Sequence, residues 1–402
     1  MWYNLGMIYF DASATYPMLP CAREAILGAM EAELGNASAL HRAGHRAGEM
    51  IEEARAEIAK LIGARTGEIL FTSGGSEANN TVVRTFAGRR VAVSSVEHPS
   101  VLEPARAVAK CYEIPVDEWG VVKLKELPEA ELYSVMAANN ELGTVEPIGE
   151  LAEIVREKYP GAYVHSDLTQ ALGKMKIDVR ELVVDYATLS AHKLGGPIGT
   201  GALYVRDLDK KPSKYSKRED PSAPLIPLIL GGHQERGLRA GTYATPLIVG
   251  FGAAAKWARE ERSWEKYERK IRPLRDMLAR RILAEIPHAS LNTPLDNSLP
   301  HVLNCSFEAA EGESIQLYLD LRGEVMVSTG SACAAGDTTP SHVIMATRND
   351  AEVAHSSIRF SLTLEAEERD VEEVMGVLPG IIRDLKGIST IETREEGRDD
   401  ER

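Results

Sequence analysis

Lys193 lies in an unusual sequence environment for a lysine. It follows Ser190 and His192 at the end of an apolar stretch, and three glycines come soon after it, within 195–199. Glycines remove side-chain bulk and let the backbone approach a ligand closely. A lysine held at such a position can bind the aldehyde of pyridoxal phosphate (PLP) covalently. The same pattern is also typical of a solvated loop lysine, so other parts of a PLP site must be found elsewhere in the chain.

A second glycine-rich stretch suits the phosphate of such a cofactor. Gly75 and Ser76 follow a predicted strand and open a predicted helix. Backbone N–H groups and the helix dipole attract an anion at that place. An ordinary helix cap formed by Ser76 is the alternative interpretation. Ser190 and His192, beside the lysine, could bind the same phosphate.

Three further side chains suit the cofactor ring. Asp167 ends a predicted strand, and a carboxylate beside the pyridine nitrogen keeps that nitrogen protonated. Gln170 comes three residues later and could donate a hydrogen bond to the phenolic oxygen. His98 could stack on the ring and move protons near neutral pH. For a lone histidine, a hydrogen-bonded core or loop position is the alternative.

Arg359 and Cys333 are candidates for handling the substrate. Arg359 lies on a predicted strand near the end of the chain, and its planar guanidinium suits an amino-acid carboxylate; a surface ion pair is the alternative. Cys333 lies among small residues, Ser328 to Gly336, followed by Pro340. Core cysteines usually have bulky apolar neighbours, whereas a loop of small residues could carry a thiol from one place to another. We therefore interpret Cys333 as a mobile nucleophile, and Cys21, Cys111 and Cys305 as inert thiols.

A regular alternation of strands and helices positions these residues. We predict strands at 8–10, 68–73, 91–95, 112–116, 133–138, 162–167 and 183–189, and helices at 20–33, 45–62, 100–110 and 148–158, with another beginning at 76. This alternation indicates an α/β fold with a mostly parallel, doubly wound sheet, whose ligands bind beyond the carboxyl ends of the strands. Ser76, His98, Asn140, Asp167 and Lys193 all come just after such ends. Their clustering is the strongest indication of one shared site.

The second half of the chain predicts a smaller α/β domain. A charged helix at about 247–285 would lead to strands at 301–308, 324–328 and 356–362 and helices at 312–322 and 366–386. We predict a large PLP-binding domain at 16–256 and a small domain, formed by 1–15 and 257–389, that carries the cysteine loop. Residues 390–402 are rich in charge and poor in apolar side chains, which predicts a disordered acidic tail.

Composition argues against several other classes of protein. The formal net charge of −14 disfavours binding to nucleic acid or to an anionic membrane. No apolar run approaches the ~20 residues that span a bilayer, and we expect no signal peptide. The four cysteines form no Cys-x-x-Cys pair, which favours a reducing, cytoplasmic setting. His41 and His45 have no third ligand in view, so we expect no metal site.

Ten motifs in one order resemble the cysteine desulfurases of the class V aminotransferase group, which have fold type I. They are YFDASAT, GNASALH, FTSGGSEANN, VEHPSVL, NNELGTVEPI, HSDLTQALGK, LSAHKLGGPIGTGALYVR, GGHQERGLRAGT, STGSAC and HSSIRFSL. They extend over nearly the whole chain, and the SGSAC form resembles the housekeeping and nitrogen-fixation branch. The resemblance implies a seven-stranded-type sheet and a homodimer with PLP bound to Lys193. The resemblance also implies the reaction, which is the conversion of L-cysteine to L-alanine. The sulfur would pass through a persulfide to a scaffold or thiolation protein.

The same resemblance implies a role for each motif residue. Asp167 would meet the pyridine nitrogen, Gln170 the phenolic oxygen, and His98 the ring face. The implied phosphate ligands are Gly75, Ser76, Ser190, His192 and, from the other subunit, Thr242. Asn140 and Arg359 would bind the substrate carboxylate, and Cys333 would be the nucleophile. The sulfur would serve iron–sulfur cluster assembly or tRNA thiolation.

Several residues depart from the usual family pattern, and other functions remain open. The departures are Ala12 for Asn, Tyr16 for Thr, Ile198 for a basic residue, Tyr243 for an acidic or amide residue, and Arg348 for Gly. They affect substrate preference and partner contacts rather than the reaction type. Selenocysteine lyase, or a PLP-dependent C–S lyase that releases free sulfide, is the alternative activity. A subunit that serves mainly as a docking platform is a third hypothesis, which the presence of both Lys193 and Cys333 disfavours.

Overall fold

A seven-stranded sheet forms the centre of the molecule. The structure, a computed structural model, describes residues 7–210, 224–329 and 339–388. Its strands are β1 (Ile8–Tyr9), β2 (Ile69–Thr72), β3 (Arg90–Ser94), β4 (Lys110–Ile114), β5 (Leu132–Ser134), β6 (Tyr163–Asp167), β7 (Tyr186–Ser190), β8 (Gly201–Val205), β9 (Ala289–Leu291), β10 (Val302–Phe307), β11 (Val325–Met326) and β12 (Ser357–Ser361). The central sheet has the order β2-β8-β7-β6-β5-β3-β4. Only β8 runs antiparallel to its neighbours, so the predicted mostly parallel sheet is confirmed.

The strands form because their side chains are buried on both faces of this sheet. Ala92 packs into the core on one face, while Val91 and Val93 pack into a second core on the other. This alternation follows from the two-residue period of a strand. Apolar strands covered by helices on both faces are typical of parallel sheets.

Helices cover both faces of the central sheet. They are α1 (Pro20–Glu31), α2 (Arg42–Leu61), α3 (Gly75–Thr85), α4 (Pro99–Val108), α5 (Ile148–Lys158), α6 (Thr245–Glu260), α7 (Ser263–Lys266), α8 (Arg272–Glu285), α9 (Gly312–Gly323), α10 (His342–Arg348), α11 (Ala351–His355) and α12 (Glu368–Ile388). Side chains from α3 and α4 form the smaller core, and those from α2, α5 and α6 join the larger one. Within the described ranges no helix is long and apolar enough to cross a membrane.

Two smaller sheets bring the chain ends beside the central sheet. Strands β12, β10 and β9 form an antiparallel sheet, and β1 pairs in parallel with β11. A bridge from Asp11 to Ser361 extends this contact between the first and last strands. The division into domains at 16–256 and at 1–15 plus 257–389 stays a prediction. The predicted tail at 390–402 lies outside the described residues.

The single long helix predicted at 247–285 is wrong. Helix α6 ends at Glu260, and Arg262 adopts a left-handed conformation with φ 46° before α7 begins. A π-helical turn, Tyr267–Ile271, then separates α7 from α8. The break occurs because an L-residue in the left-handed region cannot continue a right-handed helix. Other predicted ends are shifted by up to four residues: the strand predicted at 133–138 ends at Ser134.

Candidate active site

The carboxyl ends of the central strands open into a cavity of about 290 Å³. Among the residues that the structure describes, its lining includes every predicted site residue except Thr242: Gly75, Ser76, His98, Asn140, Asp167, Gln170, Ser190, His192, Lys193 and Arg359. These residues come from five strand ends and from β12, and they meet because parallel strands end at the same edge of a sheet. The shared site expected from the sequence is therefore present in the structure.

Lys193 is held at the end of β7 by a tight turn. Ala191–Lys193 forms a single 3-10 turn, and Gly195 follows with φ 86°. A Cβ atom at Gly195 would lie 2.7 Å from Leu19 Cγ, so a side chain does not fit there. The Lys193 ammonium donates hydrogen bonds of 2.6 Å to the backbone oxygens of both Ser13 and Ala14. The N-terminal segment thus positions the amine that the sequence assigns to the cofactor.

The Asp167 carboxylate is oriented by two donors at the end of β6. Asn79 Nδ2 donates to its Oδ2 at 2.7 Å, and the Thr169 backbone N–H donates to its Oδ1 at 2.9 Å. Asp167 is nearly buried, with 7% of its surface exposed. A buried carboxylate that accepts hydrogen bonds is well suited to face a protonated pyridine nitrogen.

His98 is fixed as the N-cap of α4. Its Nδ1 accepts a hydrogen bond from the Ser100 backbone N–H at 3.1 Å and lies 2.8 Å from Ser100 Oγ. Because Nδ1 accepts the backbone proton, the neutral ring carries its own proton on Nε2. Burial is the main cause that lowers the pKa of His98 below its ordinary value. Burial therefore favours the neutral form of the ring.

His192 and Gln170 also contact the N-terminal segment. Gln170 Nε2 donates to the backbone oxygen of Ser13 at 3.0 Å. His192 Nδ1 lies 3.2 Å from Thr15 Oγ1. Burial, followed by the charges of Lys193 and Lys174, lowers the pKa of His192 to about 4. A neutral His192 can donate one hydrogen bond to an anion without competing for its charge.

The chemistry of the cavity fits a phosphorylated pyridine cofactor. Ser76 is the second residue of α3 and caps nothing, so the alternative of an ordinary serine cap is wrong. The hydroxyl oxygens of Ser13 and Thr169 are buried without hydrogen-bond partners, although both residues line the cavity. Buried polar atoms normally have partners. Unpaired hydroxyls in a cavity that also contains the N-terminus of α3 therefore match a site built for a polar ligand.

Arg359 is held in place by Asn140 and Asp11. Its Nη1 donates to the Asn140 backbone oxygen at 2.8 Å, and its Nη2 donates to Asp11 Oδ1 at 2.8 Å. Only 3% of the arginine is exposed, and its Nε has no partner. The arrangement positions the guanidinium at the cavity wall, where its remaining N–H groups can donate to an additional acceptor.

One predicted site residue does not line this cavity, and another lies outside the described residues. Thr242 is exposed on the segment before α6, so its predicted role in the other subunit stays a prediction. Cys333 lies outside the described residues. The other three cysteines are free thiols. Burial is the leading cause that raises the pKa of each of them, Cys21, Cys111 and Cys305, above its ordinary value.

The sequence interpretation missed the residues that hold the predicted site residues in place. Asn79 orients Asp167 and also donates to Ser100 Oγ at 2.8 Å. It comes three residues after Ser76, on the same face of α3, so helical spacing could have indicated it. Ser13 and Ala14 contribute backbone oxygens, for which the residue types give no signal.

Fold and cavity together define a PLP-dependent enzyme of fold type I. The family model for aminotransferase class V matches residues 8–374. A cysteine desulfurase IscS from Dictyoglomus turgidum is 41% identical over 95% of this chain and 96% of its own. A solved NifS-like protein is 34% identical, with a TM-score of 0.83 over 94% of this chain and all of that one. A structure of SspA in complex with cysteine is 32% identical, with a TM-score of 0.72 over 88% of this chain and 98% of that one. The chain belongs to the class-V aminotransferase family and, within it, to the PLP-dependent cysteine desulfurases.

Proposed function

We propose that this cysteine desulfurase converts L-cysteine to L-alanine with PLP bound to Lys193 and the sulfur taken up by Cys333. The observation that carries the proposal is the meeting of Lys193, Asp167, His98 and Arg359 in one cavity. PLP supplies an electron sink that labilises bonds at the substrate α-carbon when its pyridine nitrogen is protonated. L-cysteine as the substrate is supported by the similar SspA structure, which contains cysteine.

The protein side chains divide the work of binding and proton transfer. Asp167 stabilises the protonated pyridine nitrogen, and the Gly75–Ser76 helix start binds the phosphate. Arg359 binds the substrate carboxylate and fixes which bond faces the reacting centre. Lys193 and His98 move protons between the substrate carbons, since each offers a nitrogen base inside the cavity.

Cys333 supplies the thiol for sulfur transfer. Its thiolate attacks the sulfur of L-cysteine, the S–C bond breaks, and the carbon skeleton takes up protons and leaves as L-alanine. The sulfur stays on Cys333 as a persulfide. None of the three described cysteines lines the cavity, and each has a raised pKa. A thiolate nucleophile needs a low pKa and access, which leaves Cys333 as the candidate.

The experiment that tests this assignment measures alanine and sulfide from L-cysteine in the presence of a reductant. Cys333→Ala should lose sulfide formation at least a hundredfold and keep the visible absorbance of bound PLP. Cys111→Ala is the matched control and should keep the wild-type rate. Full sulfide formation by Cys333→Ala would instead favour a C–S lyase. A tenfold preference for selenocysteine that survives the same substitution would favour the selenocysteine lyase alternative.

We further propose a homodimer that passes its persulfide to a scaffold or thiolation protein in a reducing, cytoplasmic compartment. Thr242 is exposed and does not line the cavity of its own chain, which is consistent with a contact to the partner's phosphate. The free thiols at Cys21, Cys111 and Cys305 are consistent with reducing surroundings. Trapping the Cys333 persulfide on its acceptor would distinguish iron–sulfur assembly from tRNA thiolation.

A further inference from the structure

Lys174 is a buried lysine that the proposed reaction does not use. It lies in the turn after β6, and only 3% of it is exposed. Its Nζ donates a hydrogen bond to the backbone oxygen of Lys193. Lysine is rarely buried without a counter-ion, so a lysine behind the cofactor-binding lysine requires an explanation.

Aromatic rings take the place of a carboxylate around Lys174. Its Nζ lies 4.9 Å from the centre of the Tyr16 ring and 5.7 Å from that of Tyr267. Among the residues that the structure describes, no acidic side chain forms an ion pair with it. Cation–π contacts stabilise the charged ammonium without neutralising it. When Lys174 is protonated, its charge therefore has aromatic neighbours but no ion-pair partner among the described residues.

Tyr16 connects the surroundings of Lys174 to two other segments of the chain. Its backbone N–H donates to the His192 oxygen at 2.9 Å. Its hydroxyl donates to Glu365 Oε2 at 3.2 Å and accepts from the Leu364 N–H at 3.1 Å. Tyr16 therefore joins the turn that contains Lys193 to the segment after β12. Arg359 lies on β12 itself.

Tyr267 reaches Lys174 through an irregular part of its helix. It begins the π-helical turn at Tyr267–Ile271, and its ring also lies 5.3 Å from that of His301. π-Helical turns are rare and frequent at functional sites, because they redirect a side chain. The irregular turn thus has a specific consequence, which is a second ring against the Lys174 ammonium.

The titratable groups that face Lys174 are bases and phenols. They are Lys193, His192, His301, Tyr16 and Tyr267. Burial, and then the charge of Lys193, lowers the pKa of Lys174 to about 7. The pKa values of His192 and His301 are lowered by burial and also by Lys174. The charge of Lys174 thus contributes to the lowered pKa values of both histidines.

We propose that Lys174 is a positioning residue for Lys193: it clamps the Lys193 carbonyl and places a positive charge, supported by Tyr16 and Tyr267, behind the amine that binds PLP. A like charge nearby disfavours protonation of the Lys193 nitrogen. The amine is then neutral, and able to attack or accept a proton, at a lower pH than it would be otherwise. This role rests on the proposed function, in which Lys193 carries the cofactor.

The test is a pH titration of the absorbance of PLP bound to the holoenzyme, together with the pH dependence of PLP rebinding to the apoenzyme. Lys174→Met removes the charge and the donor, Lys174→Gln removes the charge and keeps a donor, and Lys174→Arg keeps both. The first two should raise both midpoints, by up to about one pH unit. Lys174→Arg should restore them toward wild type. Lys176→Met, an exposed lysine two residues away, should leave them unchanged.

Midpoints in Lys174→Gln that coincide with wild type would overturn the proposal. If no Lys174 variant folds, Tyr16→Leu should raise the same midpoints by removing the ring that supports the charge, and unchanged midpoints in that variant would overturn it equally. Lys193→Ala tests the assignment of PLP to Lys193 separately from the role of Lys174. If that variant keeps the titrating absorbance, the assignment of PLP to Lys193 is wrong, whatever Lys174 does.

Discussion

At the scale of single residues, the site depends on side chains that touch other side chains rather than the ligand. Asp167 would contact the cofactor, but its angle is set by Asn79, which also reaches Ser100 beside His98. One amide therefore connects the group at the pyridine nitrogen with the base that faces the ring. The sequence indicated Asp167 and His98 from their strand ends. It could not indicate their link, because that link needs the distance between two helices.

Asn79→Ala should weaken PLP binding to the apoenzyme by roughly 10- to 100-fold. The reason is that a hydrogen bond to a charged carboxylate contributes about 1.5–3 kcal/mol, and Asp167 would lose one of its two donors. Fluorescence or absorbance titration with PLP measures the change. Asn297→Ala, which removes one exposed hydrogen bond to Val145, is the control and should bind PLP as wild type does. Equal affinities for Asn79→Ala and wild type would contradict the assignment.

We expect the buried carboxyl of Glu146 to make the free energy of unfolding depend on pH. It is 5% exposed, its Oε2 accepts from the Val122 N–H at 2.9 Å, and its Oε1 has no partner. Burial raises the pKa of this carboxyl from 4.5 to about 8. Between those two pH values the folded state binds a proton that the unfolded state has lost. The contribution of Glu146 to stability is therefore present below about pH 4.5 and is lost as the pH rises to about 8.

Glu146→Gln should remove this dependence. Relative to wild type, its free energy of unfolding should rise with pH over the same window, by at most about 1.4 kcal/mol per pH unit, and level off above it. Urea unfolding at several pH values measures the difference. Glu153→Gln, at an exposed position on α5, should stay parallel to wild type. A difference between Glu146→Gln and wild type that does not change with pH would show that Glu146 is ionised in the folded protein.

At the scale of elements, the loop at 231–242 is held by one buried ion pair. Glu235 accepts two hydrogen bonds of 2.7 Å from Arg55 on α2 and a third, of 2.9 Å, from the Phe71 N–H on β2. Glu235 and Arg236 both have positive φ angles. The loop therefore keeps an unfavourable backbone conformation because the carboxylate is fixed from two other elements.

Glu235→Ala should lower the free energy of unfolding by about 3–5 kcal/mol, because it removes the buried partner of Arg55 and leaves only the exposed Glu52 as its ion-pair partner. Guanidinium unfolding measures the loss. Glu260→Ala, which removes an exposed partner of Arg259, should change stability by less than about 1 kcal/mol. A loss of that small size for Glu235→Ala would mean that Glu52 and solvent are enough to compensate the Arg55 charge.

Sequence patterns predicted the regular elements better than the irregular ones. The strands around the cavity were predictable because apolar runs end in polar or glycine residues at Thr72, Asp167 and Ser190. The break at Arg262 was not, since arginine favours helices and nothing local indicates a left-handed residue. The same holds for the contact of Lys193 with Ser13, which is set by packing between segments 180 residues apart.

At the scale of the whole molecule, the proposed homodimer makes a prediction about shared sites. If Thr242 serves the partner's phosphate, a mixed dimer of Lys193→Ala and Thr242→Ala chains has one intact site, because the Lys193→Ala chain lends its normal Thr242. Mixing the two inactive or weakened proteins should therefore restore high-affinity PLP binding in about half of the sites of each mixed dimer. Differently tagged chains, purified as mixed dimers and titrated with PLP, measure this. If the mixed dimer binds PLP no better than Thr242→Ala alone, Thr242 contacts the phosphate of its own chain or contacts no phosphate.

The contact between the two ends of the chain also bears on how the protein is made. The Ser13 backbone N–H donates to Ser361 Oγ, 348 residues later in the chain, and β1 pairs with β11. A ribosome adds about 5–20 residues per second, so the first strand leaves the exit tunnel roughly 20 s to a minute before its partner exists. During that interval the wall that faces Lys193 is incomplete. A nascent chain can therefore acquire a closed cofactor site only near the end of its synthesis, and a chain that terminates before β12 never does.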